Sequence, residues 1–266
     1  MKTEDAKSLI EEQIKSLGTA LEEGRSDQLE SFLSAMARFH RYSFGNVLLI
    51  MAQKPDSTHV AGFHTWKSLG RFVKSGEKGI AILAPMLIKT ESPDAPSPSQ
   101  SEDETKALRF RVVYVFDVSQ TDGEPLPEFA KATGEPGEYA DRLKSLTRQL
   151  SIELEYAEHL GGALGVSKGG KVVLQDGLDP AQEFTTLVHE LAHEILHHGS
   201  GRAGSTKESR ELEAEAVAYV VAQAVGLDTA RASTDYIKLY HGDAQQLTQS
   251  LEAVRKASGV ILEGLL

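Results

Sequence analysis

The chain is organised around residues 187–198, which read LVHELAHEILHH and contain the pattern His-Glu-x-x-His at 189–193. Asp179 can serve as the N-cap of a helix here, and Pro180 suits its first position. Apolar residues recur at helical spacing at Phe184, Val188 and Leu191. The sequence therefore predicts a helix with one buried face that ends before Gly199.

On this helix His189 and His193 lie one turn apart on the same side, where both can reach one tetrahedral ion. Glu190 is placed beside them to accept a proton from water at the ion. His197 is a poor co-ligand for His189, because eight residues of helix separate the two by roughly 12 Å. The alternative is a chance match within an ordinary amphipathic helix.

A third ligand is expected from a second helix, Glu211 to Val225, whose start carries three glutamates. Glu211 and Glu215 share a face of this helix, whereas Glu213 points nearly the opposite way. We therefore predict Glu211 as the metal ligand and Glu215 as an acceptor for the spare N–H of a ligating histidine. The alternative is a solvated acidic helix start that the helix dipole favours.

This half resembles the glutamate-type zincins (gluzincins), in particular the ImmA/IrrE-like metallopeptidases. The residues that carry the resemblance are His189-Glu190-x-x-His193 and the later Glu211-x-Glu213-Ala214-Glu215. In that family a β-hairpin precedes the helix pair, and residues 165–175 occupy its place. The resemblance implies a Zn²⁺-dependent peptidase with Glu190 as catalytic base and a protein or peptide as substrate.

The composition excludes some classes of protein and some kinds of metal site. The chain has 266 residues, of which 40% are hydrophobic, and no cysteine. A disulfide scaffold and a thiolate zinc site are thereby excluded, so zinc would need nitrogen and oxygen ligands. We expect a cytoplasmic protein without a membrane span, because no apolar run approaches spanning length and the acidic start lacks a signal-peptide core.

The formal charge of −11 is unevenly spread. Residues 38–90, here called the basic island, carry eight basic and two acidic side chains. Basic side chains interleaved with rings such as Tyr42, Trp66 and Phe72 suit phosphates and unstacked bases, and so indicate single-strand binding. The alternative is that the rings belong to the core and the lysines to a solvated face.

The same region resembles the N-terminal domain of ArdC-type antirestriction proteins. Three motifs carry this resemblance: Tyr42-x-x-x-Asn46-x-x-Leu49, Thr65-Trp66-Lys67-x-Leu69-Gly70 and Val73-Lys74-x-Gly76-Glu77-Lys78-Gly79. Proteins of that type join a domain that binds single-stranded DNA to a C-terminal zincin, and they travel on mobile elements. The expected DNA-binding residues are Arg41, Tyr42, Asn46, Trp66, Lys67, Arg71, Lys74 and Lys78.

The predicted fold class is α+β with two domains. Residues 1–122 form a small α/β domain that binds single-stranded DNA, and 90–107 form a disordered acidic insert within it. Residues 123–137 are a linker rich in proline and glycine, and 138–266 form the zincin-like domain with C-terminal helices. A strand predicted near 108–118 alternates apolar Phe110, Val112 and Tyr114 with arginines.

The first interpretation is a zinc metallopeptidase fused to a module that binds single-stranded DNA, functioning as an antirestriction protein of a mobile element. An extended substrate would pair with the rim of the strand at 171–175. Two alternatives stay open. One is a non-catalytic DNA-binding protein in which zinc is structural, and the other is a regulatory protease that cleaves a repressor.

Overall fold

The computed structural model describes residues 1–23, 27–89, 106–124, 135–198, 205–227 and 244–266. The fold is a mixture of helices and short sheets, in agreement with the predicted α+β class. The contacts divide the chain into two compact units. The first comprises Met1–Glu11 and Leu48–Glu124, and the second comprises Glu12–Val47 and Pro125–Leu266.

The helices are α1 (Thr3–Glu22), α2 (Asp27–Arg38), α3 (Phe44–Gln53), α4 (Phe63–Ser68), α5 (Glu138–Gln149), α6 (Pro180–His197), α7 (Lys207–Ala224) and α8 (Ala244–Leu265). The strands are β1 (Val60–Gly62), β2 (Arg71–Val73), β3 (Ile80–Lys89), β4 (Lys106–Asp117), β5 (Thr121–Gly123), β6 (Glu153–Ala157), β7 (Gly165–Ser167) and β8 (Lys171–Gln175). Helices α6 and α7 and strand β4 confirm the predicted helix pair and the strand predicted near 108–118, whereas β2 and β5 were not predicted.

The first unit contains an antiparallel sheet of order β1-β4-β3 and a separate antiparallel pair, β2 and β5. Its anchor is Trp66 on α4, which is only 2% exposed. The indole N–H of Trp66 donates to the carbonyl of Phe116 on β4 at 2.9 Å. This helix is thereby fixed to the central strand of the sheet.

The apolar alternation predicted for β4 is present, but it does not place all of its aromatic rings in the core. Phe110 and Tyr114 are 45% and 50% exposed, whereas Val115 on the other face is buried. Strand β3 is the long partner of β4, with Ala81 opposite Tyr114 and Pro85 opposite Phe110. This face of the two-stranded ribbon leaves both rings exposed, so alternation alone did not identify the covered side.

The second unit contains a three-stranded sheet of order β6-β8-β7, in which β8 pairs parallel with β6 and antiparallel with β7. Helices α5, α6, α7 and α8 pack around one another beside this sheet. Because β8 is central, its edges are already paired, and the prediction that its rim receives a peptide was wrong. The outer strand on the side of α6 is β7.

The observed units differ from the sequence-based domains at residues 12–47, which group with the second unit. The reason is α2, which packs against α7 and buries Leu29, Phe32, Leu33 and Met36. Binary patterning predicts that α2 has an apolar face but does not identify the helix that covers it.

Several expectations fall outside the described residues. They concern most of the acidic insert (90–105), most of the linker (125–134) and part of the region predicted to hold the C-terminal helices (228–243). Among the helices that the structure describes, none combines the length and the apolar character that a membrane crossing requires.

The anchoring role of Trp66 leads to a stability prediction. We expect Trp66→Ala to lower the free energy of unfolding by about 3–5 kcal/mol, because it removes a large buried side chain and leaves a cavity. Urea denaturation followed by circular dichroism measures this change. The adjacent exposed Lys67→Ala is the control and should stay within about 0.5 kcal/mol of wild type. Equal effects of the two substitutions would contradict the anchoring role.

Candidate metal centre

His189, His193 and Glu211 converge at one point between α6 and α7, and their ligand atoms all lie within 4.8 Å of one another. The two histidine Nε2 atoms are 3.1 Å apart. Glu211 Oε2 lies 3.4 Å from Nε2 of His189 and 3.5 Å from Nε2 of His193. Ligand atoms on a tetrahedral zinc ion with bonds of about 2.0–2.1 Å are separated by roughly 3.3 Å. The donor set and its spacing therefore fit such an ion.

Local sequence features fix the two helices that carry these ligands. The Asp179 carboxylate accepts from the backbone N–H of Gln182 at 3.0 Å, and Pro180 occupies the first turn of α6. Thr206 caps α7 by accepting from the N–H of Ser209 at 3.1 Å. Both caps satisfy backbone donors that would otherwise lack partners at the helix starts. The ligand-bearing turns are consequently held by capped helices rather than by loops.

Glu190 lies in a tight contact with β7. A Cβ added at Gly165 would stand 2.8 Å from Glu190 Cγ and 2.8 Å from Thr186 Cγ2, so only glycine fits there. The carboxylic acid is 7% exposed, and burial raises its pKa to about 7, with the negative charge of Glu211 adding to the rise. A carboxyl group that titrates near neutrality beside three ligand atoms has the properties of a general base.

The two ligand histidines are held neutral. Burial lowers the pKa of His189, and the Glu211 carboxylate opposes this shift. Burial, followed by the charge of His189, lowers the pKa of His193. Neutral imidazole is the form that coordinates a metal.

The spare ring nitrogen of His193 lies next to a residue that was not predicted to support the metal site. Nδ1 of His193 lies 2.9 Å from Nδ1 of His197, and Nε2 of His197 lies 3.0 Å from a carboxylate oxygen of Glu213. Glu213 is fully buried, although helical phase placed it away from the site. The spare ring nitrogen of His193 therefore faces His197. Glu215 is exposed on α7, and its role stays a prediction.

A second carboxylate, Glu194, fastens the hairpin of β7 and β8 to α6. Its oxygens accept from the hydroxyl of Ser167 at 2.6 Å and from the backbone N–H groups of Lys168, Gly169 and Gly170 at 2.6–3.1 Å. These bonds hold the pKa of Glu194 below its usual range despite burial. Sequence reasoning missed this contact, although a glycine pair at a hairpin tip indicates free N–H donors.

Three of the residues expected to bind DNA instead support the fold. Trp66 is buried and cannot stack on a base, and Asn46 is 8% exposed. The Arg71 guanidinium donates to the carbonyls of Thr121, Gly123 and Glu124, which joins β2 to β5. Burial makes Trp66 and Asn46 inaccessible to DNA, whereas Arg71 is half-buried and its DNA-binding role stays a prediction.

The remaining members of the set divide between the units. Arg41 and the half-buried Tyr42 belong to the second unit, whereas Lys67, Lys74 and Lys78 belong to the first. Lys67 and Lys78 are exposed, and Lys74 donates to the carbonyl of Ser119 at 3.0 Å. The exposed rings of the first unit are Phe63, Phe72, Phe110 and Tyr114. Of these, Phe72 is 57% exposed and lies within the basic island.

Comparisons with known proteins identify a family model and solved structures that are similar to this chain. The family model of the N-terminal domain of anti-restriction factor ArdC matches residues 5–116. The metal-free crystal structure of antirestriction protein ArdC from plasmid R388 is 20% identical and has a TM-score of 0.52. That match covers 84% of this chain and 85% of that one. The Mn(II)-bound structure of the same protein has a TM-score of 0.49 at 18% identity over the same shares of the two chains.

A curated relative, an uncharacterized protein of Bacillus anthracis, is 25% identical over 269 aligned residues. The match covers 86% of this chain but 46% of the relative, so the chain spans about half the length of that protein. The family model identifies residues 5–116 as an ArdC-type N-terminal domain, and the metal-free structure shows a shared fold.

The raised pKa of Glu190 predicts how stability depends on pH in metal-free protein. Because the folded pKa of about 7 exceeds the ordinary 4.5, the stabilisation is present at low pH and is lost as pH rises through 7. Relative to wild type, Glu190→Gln should therefore gain free energy of unfolding between pH 5.5 and pH 8, by about 2 kcal/mol. Urea denaturation in the presence of a chelator tests this, with Glu208→Gln as an exposed control. A difference independent of pH would contradict the prediction.

Proposed function

We propose that this protein is a zinc metallopeptidase of the gluzincin type joined to a region that binds single-stranded DNA, and that it functions in antirestriction. The observation that carries the enzymatic part is Glu190. It is a buried carboxyl group with a pKa near neutrality, close to two neutral histidines and Glu211. A purely structural metal site has no need of a fourth ionisable group with these properties.

His189, His193 and Glu211 would hold the ion, leaving one tetrahedral position for water or substrate. When bound, zinc supplies Lewis acidity that polarises a scissile carbonyl and lowers the pKa of water. Glu190 in its ionised form takes the proton of the attacking water and afterwards passes it to the leaving amine. Gly165 and the rest of β7 keep solvent away from the Glu190 carboxyl, which keeps its pKa in the range that both transfers require.

The enzymatic part predicts that Glu190→Gln binds zinc as wild type does but loses peptide hydrolysis by about 10²–10⁴-fold, because an amide accepts no proton from water. Zinc content by mass spectrometry and cleavage of a peptide library measure the two properties. His193→Ala should lose both zinc and hydrolysis, while the exposed His159→Ala serves as a control and should lose neither. Hydrolysis by Glu190→Gln at the wild-type rate would instead favour the structural role of zinc.

The DNA-binding part is supported by the ArdC match over residues 5–116 and by the cations and ring that the first unit exposes. Lys67 and Lys78 are free of the backbone contacts that occupy Arg71 and Lys74. Phe63 and Phe72 are exposed rings of the basic island in this unit, and Phe72 is the more exposed of the two. Stacking on an accessible ring selects unpaired bases, and lysines attract phosphates without reading sequence.

We therefore expect Phe72→Ala to weaken binding of single strands by about 1–3 kcal/mol, because one stacking platform is lost. Fluorescence anisotropy with labelled single and double strands measures the effect. Leu69→Ala is the matched control, since it removes a similarly exposed apolar side chain that has no ring. Lys67→Glu with Lys78→Glu should weaken binding to all sequences, whereas Lys7→Glu outside the island should not. Equal affinity of wild type for single and double strands would leave the island as a solvated face.

A further inference from the structure

Two polar side chains are buried next to the proposed metal ligands. The side chains of His197 and Glu213 are 3% and 0% exposed, and they contact each other at 3.0 Å across the interface of α6 and α7. Removing a carboxylate and an imidazole from water costs free energy. An apolar pair would fill this position in an ordinary helix interface. The pair is therefore expected to do something besides packing.

Only one direction of the hydrogen bonds around His197 leaves His193 able to bind a metal ion. In this direction Nε2 of His197 donates to Glu213. The ring of His197 then presents an unprotonated Nδ1, which accepts from the Nδ1–H of His193 at 2.9 Å. This leaves Nε2 of His193 without a proton and directed at His189 and Glu211. The opposite direction would place a proton on that nitrogen and block coordination.

We propose that His197 and Glu213 are positioning residues that set the tautomer and ring orientation of the metal ligand His193. The inference rests on the metal site of the proposed function and adds two residues that support one of its ligands. The geometry follows from two spacings: His197 lies one helical turn after His193, and Glu213 follows Glu211 by two residues on the facing helix. The same pair of helices thus supplies the ligands on its exposed side and their support in its interior.

The first test needs no substitution. Long-range proton–nitrogen correlation spectra of metal-free wild type report which ring nitrogen of His193 carries the proton. The proposal requires protonation at Nδ1. A spectrum in which His193 is protonated at Nε2 would overturn it, whatever any variant does.

The second test uses two replacements of His197 that separate positioning from packing. The amide of asparagine approximates the Nδ1 position of histidine, so His197→Asn keeps an acceptor for His193. The amide of glutamine approximates the Nε2 position, so His197→Gln keeps a donor for Glu213 and removes that acceptor. Zinc affinity, measured by competition with a chelator, should fall about 10–100-fold for His197→Gln. For His197→Asn it should stay within a few-fold of wild type.

The Glu213→Gln variant keeps an acceptor of the same shape but no charge, so its loss of affinity should be smaller than that of His197→Gln. Glu208→Gln, an exposed change on the same helix, is the control and should bind zinc as wild type does. If wild type takes up no zinc, both the proposed function and this inference fail. If wild type binds zinc and the two His197 variants match wild type, or lose affinity equally, only this inference fails.

Discussion

The interface of α6 and α7 is the constraint on which the second unit depends. One row of α6 carries His189, His193 and His197 at successive turns, and α7 faces it with Glu211 and Glu213. Each histidine of this row contacts a carboxylate or another histidine, so the interface is polar where most helix pairs are apolar. Buried apolar side chains on both sides of the row compensate for that cost, among them Val188, Leu191, Val217 and Val221.

The first unit depends on a different buried group, the carboxylate of Asp117, which is 2% exposed. It accepts from the backbone N–H groups of Thr58, His59 and Ser119, and these bonds hold its pKa below the usual value. Gln120 extends the network by donating to Glu77 and to the carbonyl of Lys78. The motifs that resemble a DNA-binding family therefore contain many residues that maintain the fold. Only the exposed residues of these motifs can contact a ligand.

The sequence predicted what depends on local pattern. Helix α6, its cap at Asp179 and the grouping of His189, His193 and Glu211 all follow from periodicity within one or two elements. It did not predict Glu213, because a helical wheel gives the direction of Cβ but not the reach of a long side chain along an adjacent helix. It offered the burial of Trp66 only as an alternative and did not predict the exposure of Tyr114, since both depend on which face of a sheet another element covers.

Two rows of side chains on α6 allow one helix to carry both the proposed metal ligands and the proposed catalytic base. The row beside the histidines consists of Thr186, Glu190 and Glu194, spaced four residues apart, and all three contact the hairpin of β7 and β8. Glu194 fastens the hairpin tip to the helix, and this fastening brings Gly165 against Glu190. The hairpin therefore contributes to the burial that raises the pKa of Glu190, and the negative charge of Glu211 adds to the rise. The basicity of the proposed catalytic base consequently depends both on the hairpin and on a proposed metal ligand.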